Sequence, residues 1–175
     1  MKTLMRTICL AVLVIPFMLN DANAQSRRKI RKLEWGSKYN YEINCLGVGN
    51  DGTKIFKVWA FDKKVDVAVR KAKSHAISAC IFRGIPAGGG ADRTPAIITS
   101  ASAEEKNAEY FDKFFAPGGR YLGYVNLSSD GYPKGKDKIK MKKGYKVGII
   151  VSIDFDRLRK DLEKDGVARG LSSGF

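Results

Sequence analysis

The sequence predicts an α+β fold: an antiparallel sheet of about four to five strands with an alanine-rich helix packed on one face. Three observations carry this reading. Residues 40–61 read as two strands around the turn Asn50-Asp51-Gly52, residues 62–84 repeat small apolar side chains every three or four positions, and residues 145–153 alternate again. The expected order is β-β-α, a loop with a short helix, then β-β-β-α. Its mainly hairpin-like connections favour antiparallel pairing.

Ahead of the fold, Met1–Ala24 reads as a secretory signal peptide. Lys2 and Arg6 precede the apolar run Thr7–Leu19, and Ala22-Asn23-Ala24 offers the small residues of a cleavage site. The run is shorter than the roughly 20 residues of a helical membrane span. Cleavage after Ala24 removes Lys2, Arg6 and Asp21, which leaves residues 25–175 at a net charge of +13 against +14 for the whole chain. That length suits one domain, placed at 39–175.

Residues 25–38 form a basic arm, with Arg27, Arg28, Lys29, Arg31, Lys32 and Lys38 against one acid, Glu34. A solvated tail accounts for it; Arg27, Arg28 and Lys29 are also candidates for contact with an anion.

Asn40–Val48 is expected as a strand with Tyr41, Ile43 and Cys45 on one face. The next strand, Thr53–Phe61, is apolar on both faces: Ile55, Trp59 and Phe61 on one, Phe56, Val58 and Ala60 on the other. It fits either an interior strand covered on both sides or a partner surface. In the helix, Val65, Ala68, Val69, Ala72, Ala76, Ala79 and Cys80 share a face, so the backbone can lie close to a sheet. Asp62 is the expected N-cap and Gly84 the expected C′ residue.

Ile85–Ser100, with Pro86, Gly88-Gly89-Gly90 and Pro95, is expected as a flexible exposed loop and the edge of any cleft. Ser102 and Glu105 have capping-box spacing ahead of a helix from Ala103 to Phe115, whose aromatic residues suit the core. Arg120–Leu127 is a strand candidate. Lys134–Lys146 holds seven lysines and one aspartate. There Lys138, Lys140 and Lys142 alternate with Ile139 and Met141, which predicts an amphipathic strand with a positive face, turning at Lys143-Gly144 into Tyr145–Ile153. Lysine on such a strand either guards a sheet edge or contacts an anion. Asp154 is the expected cap of the last helix and Gly166 its stop, with Val167, Leu171 and Phe175 returning to the core.

Little here points to catalysis. His75 is the sole histidine. Gly47-Val48-Gly49 lacks the rest of a dinucleotide fingerprint, and the glycine run lacks a phosphate-loop lysine, so no cofactor is expected. Asp154 and Asp156 are explained by capping and form no calcium loop. Cys45 and Cys80 fit two buried thiols or a strand-to-helix disulfide, and are too few for a cysteine zinc site.

The glycine-bearing strand Tyr41–Gly49, the strand Lys54–Phe61, the alanine-rich helix Ala68–Ala79 and the strand Tyr145–Ile153 together resemble small periplasmic and outer-membrane-associated proteins related to flagellar accessory lipoproteins. The likeness covers about half of the mature chain. It implies an envelope scaffold or assembly module and supplies no catalytic residue. The chain departs from that family in its long middle insertion and in having no lipidation cysteine after the apolar run, since Cys9 lies inside it. The ending Val167–Phe175 is similar to the tails of uncharacterised secreted proteins from Bacteroides-like bacteria.

The expected function is a non-catalytic cell-envelope interaction or assembly module, periplasmic or secreted. Its basic surplus suits an acidic envelope protein, an anionic polysaccharide or an anionic membrane surface. Nucleic acid matches in charge but belongs to the wrong compartment, and no feature of the sequence sets an oligomeric state. The alternative is a secreted hydrolase with its site near the 85–100 loop.

Overall fold

Residues 41–49, 51–100, 102–128 and 132–170 are described by a computed structural model. The leader 1–24 and the basic arm 25–38 lie outside them.

Strands β1 (Glu42–Val48) and β2 (Lys54–Asp62) form the expected hairpin, antiparallel from Glu42↔Trp59 to Val48↔Lys54, with a bulge between Cys45 and Gly47. Helix α1 (Val65–Phe82) follows, then the short helices α2 (Ala103–Lys106) and α3 (Ala108–Phe114). The chain continues through a 3₁₀ turn (Arg120–Tyr124) to β3 (Val125–Leu127), β4 (Lys138–Met141), β5 (Gly144–Ile153) and helix α4 (Phe155–Lys164). The five strands make one antiparallel sheet in the order β1-β2-β5-β3. β5 is its spine: β2 pairs with residues 145–153, while β4 pairs with residues 144–147 and β3 with residues 151–153.

One face of this sheet is the core. Phe56, Val58 and Ala60 of β2 and Val147, Val151 and Ile153 of β5 are fully buried, as are Ala68, Ala72, Ala76 and Ala79 of α1. The alanines bring the α1 backbone close to the two central strands, as the period of the stripe requires. The last two turns of α1 are buried further round, through His75, Ile77, Ser78 and Ile81, which the stripe did not indicate. Residues 85–98 cover that second side. Their Ile97 and Ile98 N–H groups donate to the Cys80 and Ile81 carbonyls at 3.1 and 2.8 Å, satisfying acceptors that a helix end leaves open.

The helix ends as expected at Gly84, whose φ is +79° and whose N–H donates to the Ala79 carbonyl at 2.8 Å. Its start differs. Lys64 is the N-cap residue, and Asp62 completes β2, with its carboxylate accepting from the Lys64 N–H at 3.3 Å and pairing with Lys71 at 2.6 Å. At α4 the expectation holds at both ends: Asp154 accepts from the Arg157 N–H at 3.2 Å, and Gly166, with φ +75°, follows the C-cap. Val167 packs against the core, whereas Leu171 and Phe175 lie outside the described residues.

Three expected elements are corrected. The helix over 103–115 breaks at Asn107, whose side-chain amide donates to the Ala103 carbonyl at 2.9 Å and competes with the backbone. Ser102 makes no side-chain cap there. The strand over 120–127 shortens to Val125–Leu127, because Tyr121 and Tyr124, three residues apart, are both buried from one face of the 3₁₀ turn. The 85–100 segment is no open loop at its centre: Ile85 and Thr94 exchange backbone hydrogen bonds at 2.8 and 3.0 Å, and Gly88 pairs with Ala91. The aromatic residues of this stretch do join the core: Phe111 and Phe114 of α3 are buried, Phe111 lying 5.0 Å from Phe82 between centroids, and the half-buried C-cap Phe115 packs on Tyr121 at 5.7 Å.

Candidate functional site

The lysine-rich tract forms the β4–β5 hairpin, and its geometry differs from the expected amphipathic strand. β4 holds only four residues, Lys138, Ile139, Lys140 and Met141, and each of them is exposed. Lys142 belongs to the turn with Lys143, so the strand stops one residue before the third lysine of the predicted alternation. Ile139 and Met141 keep 45% and 38% of their surface in solvent because β4 pairs only with the first four residues of β5. On the other face Lys138 lies over the rings of Tyr132 and Tyr145, at 5.6 and 5.4 Å. The hairpin therefore presents cations on one face of β4 and exposed apolar side chains on the other.

Some of the domain's other cations are held by acids. Lys57 pairs with Asp137, Lys146 with Glu42, Arg120 with Asp165 and Arg159 with Glu163. Lys138, Lys140 and Lys142 have no acidic partner among the described residues. Arg27, Arg28 and Lys29 lie outside the described residues, so no relation between the arm and the hairpin is defined.

A second feature lies where the sequence placed the cleft edge. A cleft of about 680 Å³ runs between β1 and the 84–94 hairpin, lined by Tyr41 to Asn44, Ala79, Arg83 to Ala87 and Arg93. Tyr41 builds its floor. The ring stacks on buried His75 at 4.7 Å, and the Arg83 guanidinium lies over it at 5.2 Å. The Tyr41 hydroxyl is buried and makes no hydrogen bond of ordinary geometry among the described residues, although Arg83 and Ser78 lie near it; burial raises its pKa against their pull. This assembly of Tyr41, His75 and Arg83 joins residues 42 positions apart in sequence and had no local signal.

The 84–94 hairpin needs its glycines for close approach. A Cβ on Gly88 would stand 2.8 Å from the Cys45 carbonyl oxygen, and one on Gly89 would stand 2.1 Å from that of Leu46. Its tip is therefore seated on β1 at the bulge. Cys45 and Cys80 are free thiols; Cys80 is fully buried, and that burial pushes its pKa up. Among the described residues no cluster of histidine, cysteine, aspartate or glutamate could hold a metal ion, and no helix is long and apolar enough to cross a membrane. The chemistry available in the cleft is that of two guanidinium groups beside a strand edge, with Glu42 already turned to Lys146 at 2.8 Å.

No protein-family model, curated protein or solved structure matches the chain.

Proposed function

We propose that this chain is a non-catalytic cell-envelope interaction or assembly module, exported by its first 24 residues, whose β4–β5 hairpin binds an anionic partner. The observation that carries the reading is the exposure of Lys138, Lys140 and Lys142 on one short hairpin, without acidic partners among the described residues and next to exposed Ile139 and Met141. Clustered like charges repel one another, and an anionic surface removes that cost. Exposed Ile139 and Met141 favour an anionic membrane over a polysaccharide, since a bilayer offers an apolar layer beneath its charged groups.

Sedimentation of the full chain with vesicles of phosphatidylcholine alone, or with added phosphatidylglycerol, tests this. Each lysine near an anionic surface contributes about 1 kcal/mol. Changing Lys138, Lys140 and Lys142 together to Gln is expected to weaken binding roughly 100-fold at low salt, and added salt should erode the binding of the parent chain. Ile139→Ser with Met141→Ser should weaken it further without changing the salt dependence. A folded triple variant that binds as the parent does would sink the role of the hairpin.

A further inference from the structure

We propose that the groove between β1 and the 84–94 hairpin takes an extended, carboxylate-bearing peptide as an added strand, its backbone on the edge of β1 and its carboxylates on Arg83 and Arg93. This site is separate from the lysines of the β4–β5 hairpin and does not depend on the reading given to them.

The lining of the groove identifies the strand edge. Successive side chains of a strand point to opposite faces, yet three consecutive β1 residues, Glu42 to Asn44, border the cleft together with Tyr41 before them. A cavity meets such a run only along the backbone edge. β1 is the terminal strand of the sheet and has no second strand partner among the described residues. Its edge groups are therefore a template for a further strand.

The groove also has a defined length. At its far end the Gly88-Gly89 tip sits against the backbone of Cys45 to Gly47, and no other described residue pairs with the edge at Tyr41–Asn44. Four residues at about 3.3 Å each give a site roughly 13 Å long, enough for a short recognition segment.

Charge selects the occupant. Arg83 and Arg93 stand on the ridge between this groove and a neighbouring cleft of about 510 Å³ lined by Phe82, Pro95 and Ile98. Neither has an acidic partner among the described residues. Arg83 is held in place by the Tyr41 ring, which reduces the freedom lost when it binds a carboxylate. The chain's own arm at 25–38, with six basic residues and one acid, carries the wrong charge for this groove.

The test is fluorescence anisotropy with the full chain and a labelled octapeptide that alternates valine and glutamate. Three control peptides carry glutamine for glutamate, lysine for glutamate, or N-methyl groups on alternate amides with the glutamates kept. The acidic peptide is expected to bind, and the glutamine, lysine and N-methylated forms to bind at least tenfold more weakly. Arg93→Gln, alone and with Arg83→Gln, should cost at least tenfold while thermal unfolding stays unchanged, since both side chains are exposed. The single change guards against loss of the Arg83–Tyr41 contact. The lysine triple variant at 138, 140 and 142 should bind the peptide normally. Absence of binding, equal binding of the N-methylated peptide, or loss in the lysine variant rather than the arginine variants would each overturn the proposal.

Discussion

Trp59 lies over Gly148, its directly opposed neighbour across β2 and β5, so that a Cβ on the glycine would stand 2.9 Å from ring carbons Cε3 and Cζ3. The missing side chain lets the indole settle on the face of the sheet away from α1. Lys57 and Lys146 flank it, at 4.9 and 5.0 Å from the ring, and are themselves neutralised by Asp137 and Glu42. This arrangement half-buries Trp59 on the face of the sheet opposite α1. It also explains why β2 is apolar on both sides.

Gly148→Ala should therefore displace Trp59 without breaking the sheet. The clashing atoms are side-chain ends, so the expected loss of stability is modest, about 1 kcal/mol. Tryptophan emission should shift to the red as the indole enters water. An unchanged spectrum would contradict the close contact.

Ala72 is fully buried where α1 crosses the sheet. Ala72→Phe should overpack that interface and cost roughly 1–3 kcal/mol in urea unfolding. Stability equal to the parent's would contradict burial at this position.

Gly89 combines a φ of +58° with a Cβ position only 2.1 Å from the Leu46 carbonyl oxygen. Backbone cannot give way as a side chain can, and L side chains rarely take this φ. Gly89→Ala should lift the hairpin tip from β1 and raise the rate of trypsin cleavage after Arg93. Ala substitution at Gly90, which has no neighbour within 4 Å of a Cβ, should have the smaller effect and separates lost contact from backbone strain.

Asp165 ties α4 to the aromatic layer, accepting from the Tyr110 hydroxyl at 2.6 Å and from Arg120 at 2.8 Å. Those two donors hold its carboxyl below its ordinary range, the Tyr110 bond being the larger cause. A carboxylate with a lowered folded pKa stabilises the fold at pH values above the unfolded value of about 4, and the effect disappears as pH falls through the folded pKa. Asp165→Asn should lower thermal stability at pH 7, by about 1 kcal/mol. The gap from the parent should narrow below pH 4. A gap that stayed constant to pH 2 would contradict the charge-dependent origin.

Much of the fold is written locally. The α1 stripe, the β1–β2 turn, the alternation of Val147, Ile149, Val151 and Ile153, and the Asp154 and Gly166 signals depend on residues a few positions apart. Errors fell where a local pattern had two readings. Tyr121 and Tyr124 suit the faces of a 3₁₀ turn as well as an extended segment with a bend, and burial chose the former. Asn107 broke a helix whose aromatic period continued past it.

The candidate sites divide in the same way. The lysines of the β4–β5 hairpin could be found by counting charge, but the exposure of Ile139 and Met141 could not, because it depends on how much of β5 is left for β4 to pair with. The 85–100 segment could be named as a cleft edge from its composition, though its glycines read as flexibility rather than as contact with the β1 backbone.

The sequence by itself determined the α+β class, the alanine face of α1, the strands that flank it and the basic tract, because periodicity and charge are properties of neighbouring residues. Only the tertiary structure decided that β5 lies between β2 and the pair β3 and β4, that Tyr41 meets His75 and Arg83, and that the hairpin tip leaves Tyr41 and the first three residues of β1 open among the described residues. Those contacts join segments tens of residues apart. They are selected by the burial and pairing of the whole chain, which no local period encodes.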